Sequence, residues 1–143
     1  VADLDRSLAF YRDLLGFEIS ARYGDSAVFL SAGGYHHHIG LNTWAGKGAP
    51  PPVPGHAGLY HFAVLLPSRK ELASALKRLA DAGYPIEGAS DHGVSEAIYL
   101  SDPDGIGVEL YADRPPETWE RDGSAVKMET RPLDVESLLK ELD

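Results

Sequence analysis

Glutamate, histidine and tyrosine stand in this chain at strand positions where apolar side chains would be ordinary. Glu109 lies between Val108 and Leu110 in the stretch Ile98–Tyr111, IYLSDPDGIGVELY. That stretch reads as two short strands around Asp102-Pro103-Asp104-Gly105, a turn in which proline pre-sets φ and glycine relieves strain. Period-2 alternation puts Ile98, Leu100, Ile106, Val108 and Leu110 on covered faces, and Tyr99, Ser101, Glu109 and Tyr111 on the opposite parity. A carboxylate there must be paired, exposed or bound to a cation. His61 holds a similar place in Leu59–Leu66, LYHFAVLL, with Phe62, Val64 and Leu66 on the other parity. Gly34–Asn42 adds His36, His38 and Asn42, against Ile39 and Leu41. Two histidines and a carboxylate with open positions form the facial set that holds non-haem Fe(II). His61 and Glu109 supply two members, and the third is unassigned. Taken singly, a strand histidine is more often a satisfied core residue and a strand glutamate an exposed one. The shared parity across several strands favours a metal site over either.

The elements that must carry these residues follow from local signals. Asp3 can cap a helix with the apolar stripe Leu4, Leu8, Tyr11 and Leu15, closed by Gly16. Phe17–Tyr23 and Ala27–Ala32 read as strands around Gly24-Asp25, and Gly34–Asn42 as a third. The three consecutive histidines run on into Ile39-Gly40-Leu41 and are therefore kept in the fold rather than set aside as a tag. Asn42–Gly58 is a long Gly-, Pro- and Ala-rich loop with Trp44, of the length that links halves or covers a site. After the Leu59–Leu66 strand, Ser68 and Glu71 have capping-box spacing. A second helix then carries Leu72, Leu76 and Leu79 and ends at Gly83. Ile86–Ser90 is a short candidate strand. Beyond Tyr111, Asp113–Arg131 is polar, with Pro115-Pro116 and Trp119. Asp134–Leu142 reads as a short amphipathic helix (Val135, Leu138, Leu139, Leu142) that packs back on the domain or on a partner subunit.

The order of elements is strand–helix–three strands, twice, with Leu15-Gly16-Phe17 matched by Ala82-Gly83-Tyr84. This gives an α+β domain over 1–114, with repeats at about 1–45 and 58–112, and an extension over 115–143. His61 lies seven residues before Ser68. The same count from Asp3 falls about five residues before Val1. The first repeat is thus expected to lack its opening strand, which would lie upstream.

At 143 residues the chain fits one domain, and 43% hydrophobic with 24% charged residues is ordinary for a soluble protein. A formal charge of −9 disfavours a nucleic-acid footprint. No apolar run reaches membrane-spanning length and no signal peptide is visible. The absence of cysteine removes disulfides, thiolate metal sites and cysteine nucleophiles, and suits the cytoplasm. Any metal site must use His, Asp and Glu.

Val1-Ala2-Asp3-Leu4-Asp5-Arg6-Ser7-Leu8-Ala9-Phe10-Tyr11, Leu14-Leu15-Gly16-Phe17, and Asp102-Pro103-Asp104-Gly105 with Val108-Glu109-Leu110-Tyr111 resemble the vicinal oxygen chelate superfamily. That superfamily comprises glyoxalase I, extradiol ring-cleaving dioxygenases and bleomycin- or fosfomycin-resistance proteins. The resemblance runs from Val1 to about Arg114. It implies paired βαβββ modules forming a cup-shaped mixed sheet around a divalent metal, with helices outside. It is less specific for reaction. Gly34–Trp44 and Gly58–Val64 look most like catechol 2,3-dioxygenase-type proteins. That likeness implies metal ligands at His61 and Glu109, with the third on the missing strand. It also implies a catalytic histidine at His38, a tyrosine at Tyr99 and a further pocket histidine near His92. The implied activity is an Fe(II)- or Mn(II)-dependent extradiol dioxygenase acting on a small catechol and O₂, as a homodimer. His38 would deprotonate the substrate or return a proton. Tyr99 and His92 would bond a substrate oxygen, and Trp44 with the Pro-rich loop would cover the mouth. The alternatives are a metal-inert binding module for a small aromatic ligand, or a glyoxalase-like isomerase or lyase. Gly40, where glyoxalase I carries a glutamate ligand, counts against the last of these. Two geometric expectations follow. His61 and Glu109 should reach one common ion, and the helices should cover Ile39, Leu41, Phe62, Val64, Val108 and Leu110.

Overall fold

Asp3 caps the first element as its spacing predicts. Its carboxylate accepts the Arg6 amide at 2.8 Å, and helix α1 (Leu4–Leu8) follows. The computed structural model describes residues 1–143. They form two units: Val1–Gly58 with Asp102–Ile106, and Leu59–Ser101 with Gly107–Asp143.

In the first unit α1 runs on into a wider π-type stretch, Ala9–Leu14. Leu8, Phe10 and Tyr11 are buried there. Three antiparallel strands follow in the order β1 (Glu18–Tyr23), β2 (Ala27–Ser31), β3 (Ile39–Asn42). Val28, Leu30 and Leu41 complete the core. The third strand is shorter than its sequence pattern predicts. Gly33 and Gly34 take φ of 70° and 76°, which turns the chain out of extended geometry. The His36 carbonyl then accepts the Ser20 hydroxyl at 2.6 Å instead of a ladder amide. Pairing resumes only at the His38 amide, which donates to the Leu30 carbonyl at 2.8 Å. His36, His37 and His38 therefore sit in an exposed bend ahead of β3, and strand parity does not sort them.

The turn Asp102–Ile106 belongs to this first unit. Asp102 is buried, and both of its carboxylate oxygens accept hydrogen bonds. Oδ2 accepts the Tyr11 hydroxyl at 2.8 Å, while Oδ1 accepts the amides of Asp104 at 2.8 Å and Ile106 at 2.9 Å. Arg6 pairs with Asp104, whose carboxylate also accepts the Ala2 amide at 3.2 Å.

The second unit carries the complete strand–helix–three-strand order: β4 (His61–Leu65), α2 (Arg69–Asp81), β5 (Gly88–Asp91), β6 (Ser95–Ser101) and β7 (Gly107–Asp113). Strands β5, β6 and β7 are antiparallel, and β4 joins β7 in parallel. Ser68 accepts the Glu71 amide at 3.3 Å, which starts α2. Leu72, Leu76 and Leu79 bury the helix stripe, and α2 packs on β6 and β7. Along β7, Val108, Leu110 and Ala112 are buried while Gly107, Glu109 and Tyr111 alternate on the more open face. Of the six positions expected under cover, Leu41, Val108 and Leu110 are buried and Ile39, Phe62 and Val64 are half-buried.

The C-terminal segment docks on this second unit. After a single 3₁₀ turn (Pro116–Thr118), β8 (Arg121–Asp122) pairs with β9 (Ala125–Val126), and β10 (Arg131–Pro132) adds to β5. Helix α3 (Val135–Leu139) then places Leu138, fully buried, against α2. Arg69 on α2 donates to the Ser137 carbonyl at 3.2 Å and to Glu96 Oε2 at 2.7 Å. Arg114 takes the other Glu96 oxygen at 2.7 Å, so this buried carboxylate is held between two guanidiniums. No helix is long and apolar enough to cross a membrane.

One hydrogen bond recurs in both units. Two residues before its helix cap, Leu66 donates its amide to the Tyr111 carbonyl at 2.7 Å. Val1, two residues before the Asp3 cap, donates its ammonium to the Asn42 carbonyl at 2.6 Å. This matches Asn42 to Tyr111, and hence Gly40 to Glu109. The cross-strand partners correspond too: Phe29 opposite Gly40, Tyr99 opposite Glu109.

Candidate metal centre

The parallel β4–β7 ladder pairs His61 with Gly107 and Ala63 with Glu109. His61 and Glu109 are therefore neighbours on one face, one pleat apart. His61 Nε2 lies 3.1 Å from Glu109 Oε2, with the side chains 35% and 14% exposed. The space comes from Gly107. A Cβ there would stand 2.3 Å from the Tyr60 carbonyl oxygen and 2.8 Å from the His61 Cβ, so β4 lies closer than any side chain allows.

The antiparallel β6–β7 ladder sets Tyr99 directly opposite Glu109. The Tyr99 hydroxyl donates to Glu109 Oε1 at 3.1 Å and lies 2.7 Å from His92 Nε2. His92 Nδ1 is 2.7 Å from the Glu129 carbonyl. A carbonyl only accepts, so Nδ1 carries the proton, and Nε2 of the neutral ring is an acceptor facing Tyr99. The single phenolic proton thus has two acceptors. Burial first, then the charge and the hydrogen bond of Glu109, push the Tyr99 hydroxyl up to about 12 from 10.0, which keeps it a donor.

The donor set fits a divalent cation. A histidine lone pair and a carboxylate oxygen at 3.1 Å repel unless a cation, proton or metal lies between them. Metal–ligand bonds of about 2.1 Å meeting at a right angle put two donor atoms about 3 Å apart. No cluster of three His, Asp or Glu side chains able to hold a metal occurs in the structure, so this pair accounts for two ligands and no more.

His38 belongs to the first unit. Its Nδ1 accepts the Ala32 amide at 3.1 Å, which leaves the proton of the neutral ring on Nε2. Trp44 is exposed and donates its indole N–H to the Ser26 hydroxyl at 3.3 Å. Two contributors escaped the sequence reading. Gly107 was visible only as a glycine within a strand, which signals close backbone approach. Glu129 acts through its main-chain carbonyl, and no residue type announces that.

A family model described as Glyoxalase/Bleomycin resistance protein/Dioxygenase superfamily matches residues 1–110. A catechol-2,3-dioxygenase of Bacillus subtilis (strain 168) is 47% identical over 143 residues, covering 99% of this chain and 49% of that protein. Biphenyl-2,3-diol 1,2-dioxygenase 3 of Rhodococcus globerulus is 34% identical over 105 residues, covering 73% of this chain and 54% of that protein. The chain spans about half the length of the curated relatives it matches. Among solved structures, a glyoxylase/bleomycin resistance protein/dioxygenase domain from Frankia sp. EAN1pec is 27% identical with a TM-score of 0.66, covering 81% of this chain and 87% of that one.

Proposed function

The chain belongs to the Glyoxalase/Bleomycin resistance protein/Dioxygenase superfamily, and from that premise we propose that it serves metal-dependent, extradiol-type ring cleavage of a small catechol by O₂. The observation that carries this reading is the His61–Glu109 pair at 3.1 Å, with Tyr99 hydrogen-bonded to the same carboxylate. His61 Nε2 and the Glu109 carboxylate hold the metal, which we assign as Fe(II), with Mn(II) as the substitute. The third facial ligand lies outside this pair. When bound, the metal supplies Lewis-acid stabilisation of the catecholate and a place where substrate and O₂ meet.

The chain's own groups do the rest. Glu109 is oriented by the Tyr99 hydroxyl, which removes one rotational freedom from the ligand. Once substrate is bound, the single Tyr99 proton, retained in any ordinary buffer, can turn from Glu109 to a substrate oxygen, and His92 Nε2 can accept and exchange it. His38 gives a proton from Nε2, since its Nδ1 is committed to the Ala32 amide. A glyoxalase-like reaction has less support, because Gly40 offers no side-chain donor at the position matching Glu109. We assign the protein to the cytoplasm on its lack of cysteine. We also assign it to a homodimer, for which exposed Leu59, Tyr60 and Leu65 at the β4 edge give apolar area.

The test is O₂ uptake by Fe(II)-loaded protein on adding catechols. Ring cleavage consumes one O₂ per catechol, and His61→Ala or Glu109→Ala abolishes it. Metal-loaded protein that takes up no O₂ with any small catechol would sink the reading.

A further inference from the structure

The geometry of the bend ahead of β3 points to a second metal site, in which Nδ1 of His36 and Nδ1 of His37 together chelate one late first-row divalent cation such as Cu²⁺ or Ni²⁺. The two Nδ1 atoms stand 2.8 Å apart. A single proton between them makes one hydrogen bond. A cation in its place engages both lone pairs. Metal–nitrogen bonds of about 2.0–2.1 Å at a right angle require about 2.9 Å between the nitrogens, close to the spacing observed.

The pair is held in position from several sides. The Tyr35 ring lies on His36 with centroids 4.0 Å apart and planes at 36°. The His37 ring meets Phe29 at 5.1 Å. The backbone is pinned by the Ser20 hydroxyl on the His36 carbonyl at 2.6 Å and by the His38 amide on the Leu30 carbonyl at 2.8 Å. Both histidines are exposed, so water can complete the coordination. His38 takes no part through Nδ1, which already accepts the Ala32 amide. Two imidazoles without a carboxylate select nitrogen-loving cations, with Cu²⁺ strongest in the Irving–Williams order, over Mg²⁺, Ca²⁺ or Mn²⁺. This chemistry differs from the mixed nitrogen and oxygen pair at His61 and Glu109, and it stands whether or not that pair binds iron.

The experiment is titration with Cu²⁺ alone, counting bound equivalents by electron paramagnetic resonance, in a His61→Ala/Glu109→Ala background. One nitrogen-ligated equivalent is expected to remain there, to be lost in His36→Ala and in His37→Ala, and to persist in the control His56→Ala. The same single-site loss is expected with His61 and Glu109 intact, which keeps the test independent of how the double variant folds. Copper binding that survives both His36→Ala and His37→Ala overturns the assignment, and so does a background that binds no copper.

Discussion

Tyr99 and Glu109 face each other directly across the β6–β7 ladder, and the phenol donates to the carboxylate at 3.1 Å. The contact fixes which carboxylate oxygen remains for a cation: Oε1 is taken, and Oε2 faces His61. Tyr99→Phe keeps the ring and removes this bond together with the hydroxyl's contact to His92. We expect the fold to survive and metal affinity to fall about 10- to 100-fold, as for other groups that orient a ligand. Isothermal titration with Fe(II) or Mn(II) under anaerobic conditions measures it, and unchanged affinity would mean that the hydroxyl orients nothing.

The same phenol predicts an alkaline signature in metal-free protein. Its folded value of about 12 exceeds the unfolded value of 10.0. Between those limits the unfolded chain releases a proton that the folded chain keeps. The contribution to stability is therefore complete below pH 10.0 and drains away as pH rises towards 12. Urea unfolding of wild type and Tyr99→Phe across that window should show the steeper loss in wild type. Phenolate absorbance should show a tyrosine step displaced towards pH 12, and Tyr99→Phe should remove one tyrosine's amplitude from it.

Gly107→Ala tests whether the close approach of β4 positions the ligand. The new methyl meets backbone, which cannot swing aside as a side-chain end would. Overpacking of this kind costs about 1–3 kcal/mol. His61 must shift with its strand, so metal affinity should fall even where the variant remains fully folded. A variant that loses stability and binds metal normally would refute the positioning role.

Leu138→Ala probes how firmly the C-terminal segment is held. The side chain is fully buried on α2, and truncation of such a leucine costs about 2–5 kcal/mol. The expected readout is a lower urea midpoint with early hydrogen exchange in α3. A change within the scatter of surface substitutions would show that Arg69 alone retains the helix.

Much of the second unit was legible because its cues were local and mutually consistent. The Ser68 cap, the Leu72, Leu76 and Leu79 stripe and the alternation through Glu109 each pointed to the observed element. The parity rule placed His61 and Glu109 on one face correctly because both lie within regular strands. It failed for His36 and His38, where two glycines with positive φ bend the chain and the Ser20 hydroxyl replaces a ladder bond. Leu138 was marked by its helical spacing, whereas the support that Glu129 gives His92 was not. That support depends on a main-chain carbonyl brought in by β10 pairing with β5, a long-range event without local trace.

The parallel pairing of β4 with β7 also bears on how the centre is acquired during folding. The β6–β7 hairpin is a local structure, so Tyr99 and Glu109 can meet as soon as its turn closes. His61 arrives only when β4 closes on β7 across the α2, β5 and β6 that separate them in sequence, a pairing of high contact order and correspondingly slow. A refolding chain in which only the hairpin has formed therefore holds Tyr99 and Glu109 together without His61. Chelation by His61 and Glu109 together, as proposed, would then report late in folding, once β4 has closed on β7.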